Sequence, residues 1–209
     1  MKRKIRILFS LIRSKFHKNV MVCFGTSLTA GSGWVKMLGM KLPDWYVVNL
    51  ANGGMNSNWG VTQIKNVLRF KPKIILMEWA INDAYIGKPY FRPISIHSES
   101  YDNLVEMIQA FKGIKIIMLG MNPPLDMFLC GRNPAKDRPD YRIYSMVHKT
   151  IAENRNIPYI DITREWDKLS EHQFLFYCPD GLHPNALASR DIIIPKILEL
   201  LNASNQFNK

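Results

Sequence analysis

Five short apolar runs recur along the chain: Val20–Phe24, Tyr46–Leu50, Ile74–Trp79, Ile114–Leu119 and Ile157–Ile162. They are rich in Val and Ile and nearly continuous, as strands covered on both faces must be. Between them lie segments with apolar residues at helical spacing. Asn58–Phe70 carries Val61, Ile64, Val67 and Leu68 on one face, and Ser98–Phe111 carries Leu104, Val105 and Ile108. Asp140–Asn154 and Asn185–Leu201 repeat the pattern, with Pro195 placed to kink or divide the last one. Strand and helix in alternation predict a parallel sheet with helices on both faces. No repeat or linker divides the chain. The expected organisation is a basic amphipathic segment over residues 1–18 and one α/β domain over residues 19–209. Two long irregular stretches, 84–97 and 120–139, are expected at the carboxyl ends of strands, where ligands bind.

The chain has 209 residues, 47% hydrophobic and 22% charged, which suits a sizeable core and excludes a disordered or fibrous chain. Its net charge of +11 is concentrated at the front: Lys2, Arg3, Lys4, Arg6, Arg13, Lys15 and Lys18, with no acid among them. Nucleic acid is not expected as a partner, because no helix-turn-helix, zinc-finger or RNA-binding aromatic pattern accompanies the charge. Ile5, Leu8, Phe9, Ile12 and Phe16 recur at helical spacing among these cations. That pattern reads either as a solvated helix or as one lying on a membrane surface. The apolar run from Ile7 to Ile12 is interrupted by Ser10 and lacks a following cleavage site, so a secretory signal is not expected. A cytoplasmic protein, at most peripheral to a membrane, is the expectation. Cys23, Cys130 and Cys178 are odd in number and widely spaced, which implies no disulfide framework, and no metal-ligand spacing occurs.

Four stretches carry candidate chemistry. Gly25-Thr26-Ser27-Leu28-Thr29-Ala30-Gly31 follows the first strand. It suits a plain turn, a phosphate-binding loop, or a serine whose hydroxyl and N–H are both exposed. Asn49-Leu50-Ala51-Asn52-Gly53-Gly54 ends the second strand, as a glycine turn or as a loop with an N–H free for a ligand. Ala80-Ile81-Asn82-Asp83 ends the third, where the Asn amide could donate to a developing oxyanion. Asp180-Gly181-Leu182-His183-Pro184 is expected just after the fifth strand and before the last helix, and its spacing can curl the carboxylate back onto the imidazole. Each is weak alone. Together they supply nucleophile, base, orienting acid and oxyanion donors, all expected along one edge of the sheet.

These stretches resemble the four blocks of the SGNH/GDSL hydrolase family. The resemblance runs from Gly25 to Pro184 and implies Ser27 as nucleophile, Gly54 and Asn82 as oxyanion donors with the Ser27 N–H, and Asp180 and His183 as the remaining triad members. It implies a flavodoxin-like α/β/α sandwich with a five-stranded parallel sheet and esterase activity without metal or organic cofactor. Two positions depart from the pattern: Thr26 stands where the family often has Asp, and Ala80 where it often has Gly.

Trp34, Trp59, Trp79, Tyr85, Tyr90 and Phe91 lie on or near these segments, either as core or as platforms for a sugar ring. With Arg92 and His97 nearby, the expected substrate is a short acyl group on a polar or carbohydrate alcohol; a lysophospholipid or acyl thioester is an alternative. The rival readings are an acyltransferase using the same Ser and His, a flavodoxin-like phosphate- or nucleotide-binding module, and an inactive binding protein.

Overall fold

The computed structural model describes residues 2–86, 97–129 and 131–203, with the side chains of residues 2–4 excepted. In chain order the elements are α1 (Lys2–Ser14), β1 (Val20–Gly25), α2 (Ser27–Ala30), α3 (Trp34–Lys41), β2 (Tyr46–Asn49), α4 (Ser57–Thr62), α5 (Ile64–Leu68) and β3 (Ile74–Glu78). They continue with α6 (Ala80–Asp83), α7 (His97–Ala110), β4 (Lys115–Gly120), α8 (Tyr141–Asn154), β5 (Tyr159–Asp161), α9 (Thr163–Trp166) and α10 (Glu171–Tyr177). After α11 (Ala186–Ala188), a π-helical turn over Ser189–Ile193 leads into α12 (Ile194–Ala203).

The five strands form one sheet in the order β2-β1-β3-β4-β5, and every neighbouring pair is parallel. This is the flavodoxin-like order, as expected, and its switch point lies between β1 and β3. The strands are apolar on both faces because both faces are covered. From β1, Met21 and Cys23 enter one core with Trp34, Leu38, Ile193 and Ile197, while Val22 and Phe24 enter the other with Trp59, Val67, Leu104 and Phe111. α3 and α12 therefore cover one face, and α4, α5, α7 and α8 the other.

Two expected helices are divided. The Asn58–Phe70 pattern breaks at Gln63, whose N–H turns to Gly60 O at 2.9 Å while the Thr62 hydroxyl takes Trp59 O at 2.7 Å. These shorter-range bonds compete with the helical ladder. In Asn185–Leu201 the division comes at the π turn, upstream of Pro195. The proline is the second residue of α12, which directly follows the π turn. The irregular stretch 84–97 lies mostly outside the described residues, as does Cys130.

Phe24 is fully buried and meets Trp79 edge-on at 4.8 Å, with the Trp59 and Phe111 rings at 6.1 and 6.4 Å. Phe24→Ala should cost about 3–5 kcal/mol, read as a lower urea midpoint with an unchanged slope.

Candidate active site

β1 ends at Gly25, beside Glu78 of β3 in the strand register. A Cβ at Gly25 would lie 2.7 Å from the Glu78 carbonyl oxygen and collide with its carboxylate, so only glycine fits. Glu78 Oε1 accepts the Thr26 N–H at 2.7 Å and the Thr26 and Thr29 hydroxyls at 2.9 and 2.8 Å. The Thr26 hydroxyl in turn accepts the Leu28 N–H at 3.2 Å and caps α2. The turn presenting Ser27 is thus pinned on both sides.

Ser27 Oγ lies 2.9 Å from His183 Nε2, and His183 Nδ1 lies 2.6 Å from Asp180 Oδ2. The other carboxylate oxygen of Asp180 accepts the N–H groups of Leu182 and His183 at 3.0 and 2.7 Å. Gly181, at φ +71°, makes this curl possible. Burial alone would raise the Asp180 pKa. The bonds from His183 and Leu182 outweigh it and hold the carboxyl below its ordinary value, so it stays charged beside the imidazole. The stretch after β4 braces this loop. The buried Asn122 amide donates to Leu182 O at 2.8 Å, and the Leu125 N–H donates to Gly181 O at 2.8 Å. Arg132 reaches Asp180 at 3.6 Å. The His183 side chain is 37% exposed, so the site opens to solvent.

The second and third stretches converge on the same place. A Cβ at Gly53 would sit 3.7 Å from the Ser27 Cβ. The Asn82 amide donates to the carbonyl oxygen of Met55, the residue after Gly54, at 3.0 Å and keeps a second N–H. Gly54 adopts φ +73°. Behind Asn82, the buried Arg138 guanidinium donates to Ile81 O at 2.9 Å and ties α6 to the stretch after β4.

A second Ser-His-Asp set lies beneath. Ser100 Oγ donates to Asp83 Oδ2 at 2.5 Å and stands 3.0 Å from His148 Nε2, itself 3.5 Å from Asp83 Oδ2. Serine and carboxylate crowd the same ring nitrogen, so the imidazole cannot relay a proton between them. Ser100 and Asp83 are fully buried and His148 is 2% exposed. Asp83 also accepts the Ser57 N–H at 2.8 Å, which makes the set a clamp joining α6 to α4, α7 and α8. It holds Asn82 by its neighbour.

Of the two readings of the aromatic residues, the core reading holds for Trp34, Trp59 and Trp79, which are buried. Tyr85 lies under the Arg138 guanidinium at 4.8 Å, and His97 meets the Tyr144 ring at a tilt, with centroids 4.5 Å apart. Tyr90, Phe91 and Arg92 lie outside the described residues. The Asp180–His183 loop does not directly follow β5, because α9 and α10 intervene. Sequence reasoning missed Glu78, Asn122 and Arg138. For Glu78 the available signal was a charge at the end of an otherwise apolar strand; Asn122 and Arg138, in the irregular stretch after β4, carried none. Among the described residues no group of three or more His, Cys, Asp or Glu could hold a metal ion.

Burial pushes the Glu78 carboxyl up to about 7, against the hydrogen bonds from Thr26 and Thr29 that favour its charged form. A carboxyl with a raised native pKa binds more protons folded than unfolded. Its contribution is complete below the ordinary carboxyl value of 4.5 and is lost as pH rises toward about 7. Glu78→Gln should therefore remove a decline in unfolding free energy on the order of 3 kcal/mol over that window. Urea titrations of both proteins across it measure the difference; parallel profiles would refute it.

A model of the GDSL-like Lipase/Acylhydrolase family matches residues 23–190. Among solved structures, a lipase/acylhydrolase from Enterococcus faecalis is similar with a TM-score of 0.75 at 20% identity, over 89% of this chain and 96% of that one. A GDSL-like lipase from Bacteroides thetaiotaomicron gives 0.72 at 16% identity, over 95% and 98%. A catalytic mutant of an acetylxylan esterase from Geobacillus stearothermophilus gives 0.68 at 18% identity, over 88% and 94%. No curated protein matches the sequence. A five-stranded parallel sheet of flavodoxin-like order and a family match spanning most of the sequence lead to one conclusion: the chain belongs to the GDSL-like lipase/acylhydrolase family.

Proposed function

We propose that this GDSL-type acylhydrolase is a serine esterase in which Ser27 is the nucleophile, His183 the base and Asp180 the orienting acid. The observation carrying this reading is the unbroken chain of contacts from Ser27 Oγ to His183 Nε2 at 2.9 Å and from His183 Nδ1 to Asp180 at 2.6 Å. Ser27 Oγ attacks the ester carbonyl carbon, and its proton passes to His183 Nε2. Asp180 fixes the tautomer and stabilises the imidazolium. The tetrahedral oxyanion takes the N–H groups of Ser27 and Gly54 and the free N–H of the Asn82 amide. His183 then protonates the leaving alcohol, and water releases the acyl group by the same steps in reverse.

The substrate we infer is a short acyl group on a polar alcohol, with a carbohydrate acetyl ester as the leading case. The open setting of His183 suits an alcohol that stays in solvent. One structural neighbour is named as an acetylxylan esterase. Release of acetate from acetylated xylo-oligosaccharides, with p-nitrophenyl acetate hydrolysed faster than long-chain esters, is the expected outcome. A preference for long chains would overturn the substrate but not the class.

A fluorophosphonate probe should label Ser27, with labelling abolished in Ser27→Ala and His183→Ala. Ser100→Ala should keep labelling and turnover but lower stability by about 1–3 kcal/mol, because a buried carboxylate loses a donor. An adduct mapped to Ser100, or none at all, would refute the assignment. Asn82→Ala should lower kcat by roughly a hundred- to thousand-fold with the fold retained, and an unchanged rate would remove it from the oxyanion site.

A further inference from the structure

The N-terminal helix turns the wrong side of its apolar arc outward for a helix that merely coats the body. Ile7 and Leu11 pack against the core beneath, and Ser14 is buried with its hydroxyl on Leu11 O at 2.8 Å. Ile5, Leu8, Phe9, Ile12 and Phe16 face solvent, from 47% exposed at Ile5 to 65% at Phe9 and 84% at Phe16. Exposed apolar side chains scattered singly need no explanation, but this set shares one arc of α1 and the turn after it.

The charges around that arc are of one sign. Arg6, Arg13, Lys15 and Lys18 are exposed, and no acidic residue occurs in the first eighteen positions. Leu11, Ser14, Lys15 and Lys18 share a cleft with Arg69 and Lys71, while Phe16 and Lys18 share another with Lys73. Arg69, Lys71 and Lys73 are also exposed and extend the basic rim. Asp44 is the acidic residue bordering the second cleft.

We propose that α1 and this rim form a docking surface for a lipid bilayer bearing anionic headgroups. The apolar strip would enter the boundary between headgroups and acyl chains, with the cations against the headgroup phosphates. A duplex nucleic acid would satisfy the cations but leave the strip in water. A second copy laid strip to strip would bring like charges together. The orientation follows from the sheet. Lys18 and Lys73 precede β1 and β3, at the amino edge, whereas Ser27 and His183 sit at the carboxyl edge. Docking by the basic rim leaves the mouth of the site open to solution. Among the described residues no helix is long and apolar enough to cross a membrane, so attachment would be peripheral.

The test is flotation of the full chain with vesicles of phosphatidylcholine alone and with vesicles also containing phosphatidylglycerol. Binding to the anionic vesicles, weak on the neutral ones and reduced by salt, is expected. The double variant Leu8→Glu, Phe9→Glu should lower that partitioning by about tenfold or more. Its melting temperature should match the parent, because both side chains are exposed. Charge reversal at Arg13, Lys15 and Lys18 should abolish the preference for phosphatidylglycerol. Three results would overturn the proposal: no binding to anionic vesicles, binding unchanged in the double variant, or a dimer in light scattering that the double variant dissolves. Tight binding of duplex DNA with no vesicle binding would count against it equally. None of these outcomes depends on the esterase reading.

Discussion

A carboxylate buried between two parallel strands fixes the turn that carries Ser27. Glu78 closes β3, and the register places it beside Gly25, the last residue of β1. A one-residue slip of β3 would turn Glu78 to the other face and leave the Thr26 N–H, the Thr26 hydroxyl and the Thr29 hydroxyl without their acceptor. Register, turn and the position of Ser27 are therefore one specification. The strand pairs that set the register lie between two apolar cores, so their hydrogen bonds are shielded from water. The His183 loop is held from the far side by Asn122 and Leu125, whose segment leaves the end of β4. Ser27 and His183, 156 positions apart, meet because each is anchored to a strand of the same sheet.

The same interaction accounts for Thr26. A family Asp at that position would bring its own acceptor to cap the following turn. Threonine supplies a hydroxyl that caps Leu28 but must donate its proton elsewhere, and Glu78 takes it at 2.9 Å. An Asp at 26 beside Glu78 would place two carboxylates against one another in a buried site, where both cannot stay ionised. Threonine and the buried glutamate fit as a pair, which explains why a departure from the motif leaves the turn intact.

The strands were legible because a buried parallel strand has no polar face to confuse the pattern. All five runs coincide with strands to within two residues at either end. Long helices with one core face were legible too, as α7 and α8 illustrate. The short helices α2, α3, α6, α9 and α10 were not, because four to eight residues hold too few turns to show a period. That shortfall moved the Asp180–His183 loop away from β5 without altering where it ends up. The candidate site residues could be singled out because motif order is local information. Glu78, Asn122 and Arg138 could not, because their roles depend on neighbours 52, 60 and 57 positions away. The tryptophans stayed open between core and sugar platform for a related reason: chain position near a strand end says nothing about which way a ring points, and burial places Trp34, Trp59 and Trp79 in the core.

Two sets of Ser, His and Asp in one chain show that residue types alone do not define a charge relay. At Ser27 the imidazole uses one nitrogen for the hydroxyl and the other for the carboxylate, and it is open to solvent. Under the proposed mechanism a proton leaving Ser27 would pass to His183, and the resulting cation would face Asp180. At Ser100 a single nitrogen faces both groups, and the hydroxyl already gives its proton to Asp83. Proton transfer there would move nothing toward a reacting atom, and no ester could reach it. What the buried set does supply is rigidity. It joins four helices at the residue after Asn82. Under the proposed mechanism the Asn82 amide would have to be in place before charge develops, and a clamp on its neighbour is suited to hold it there.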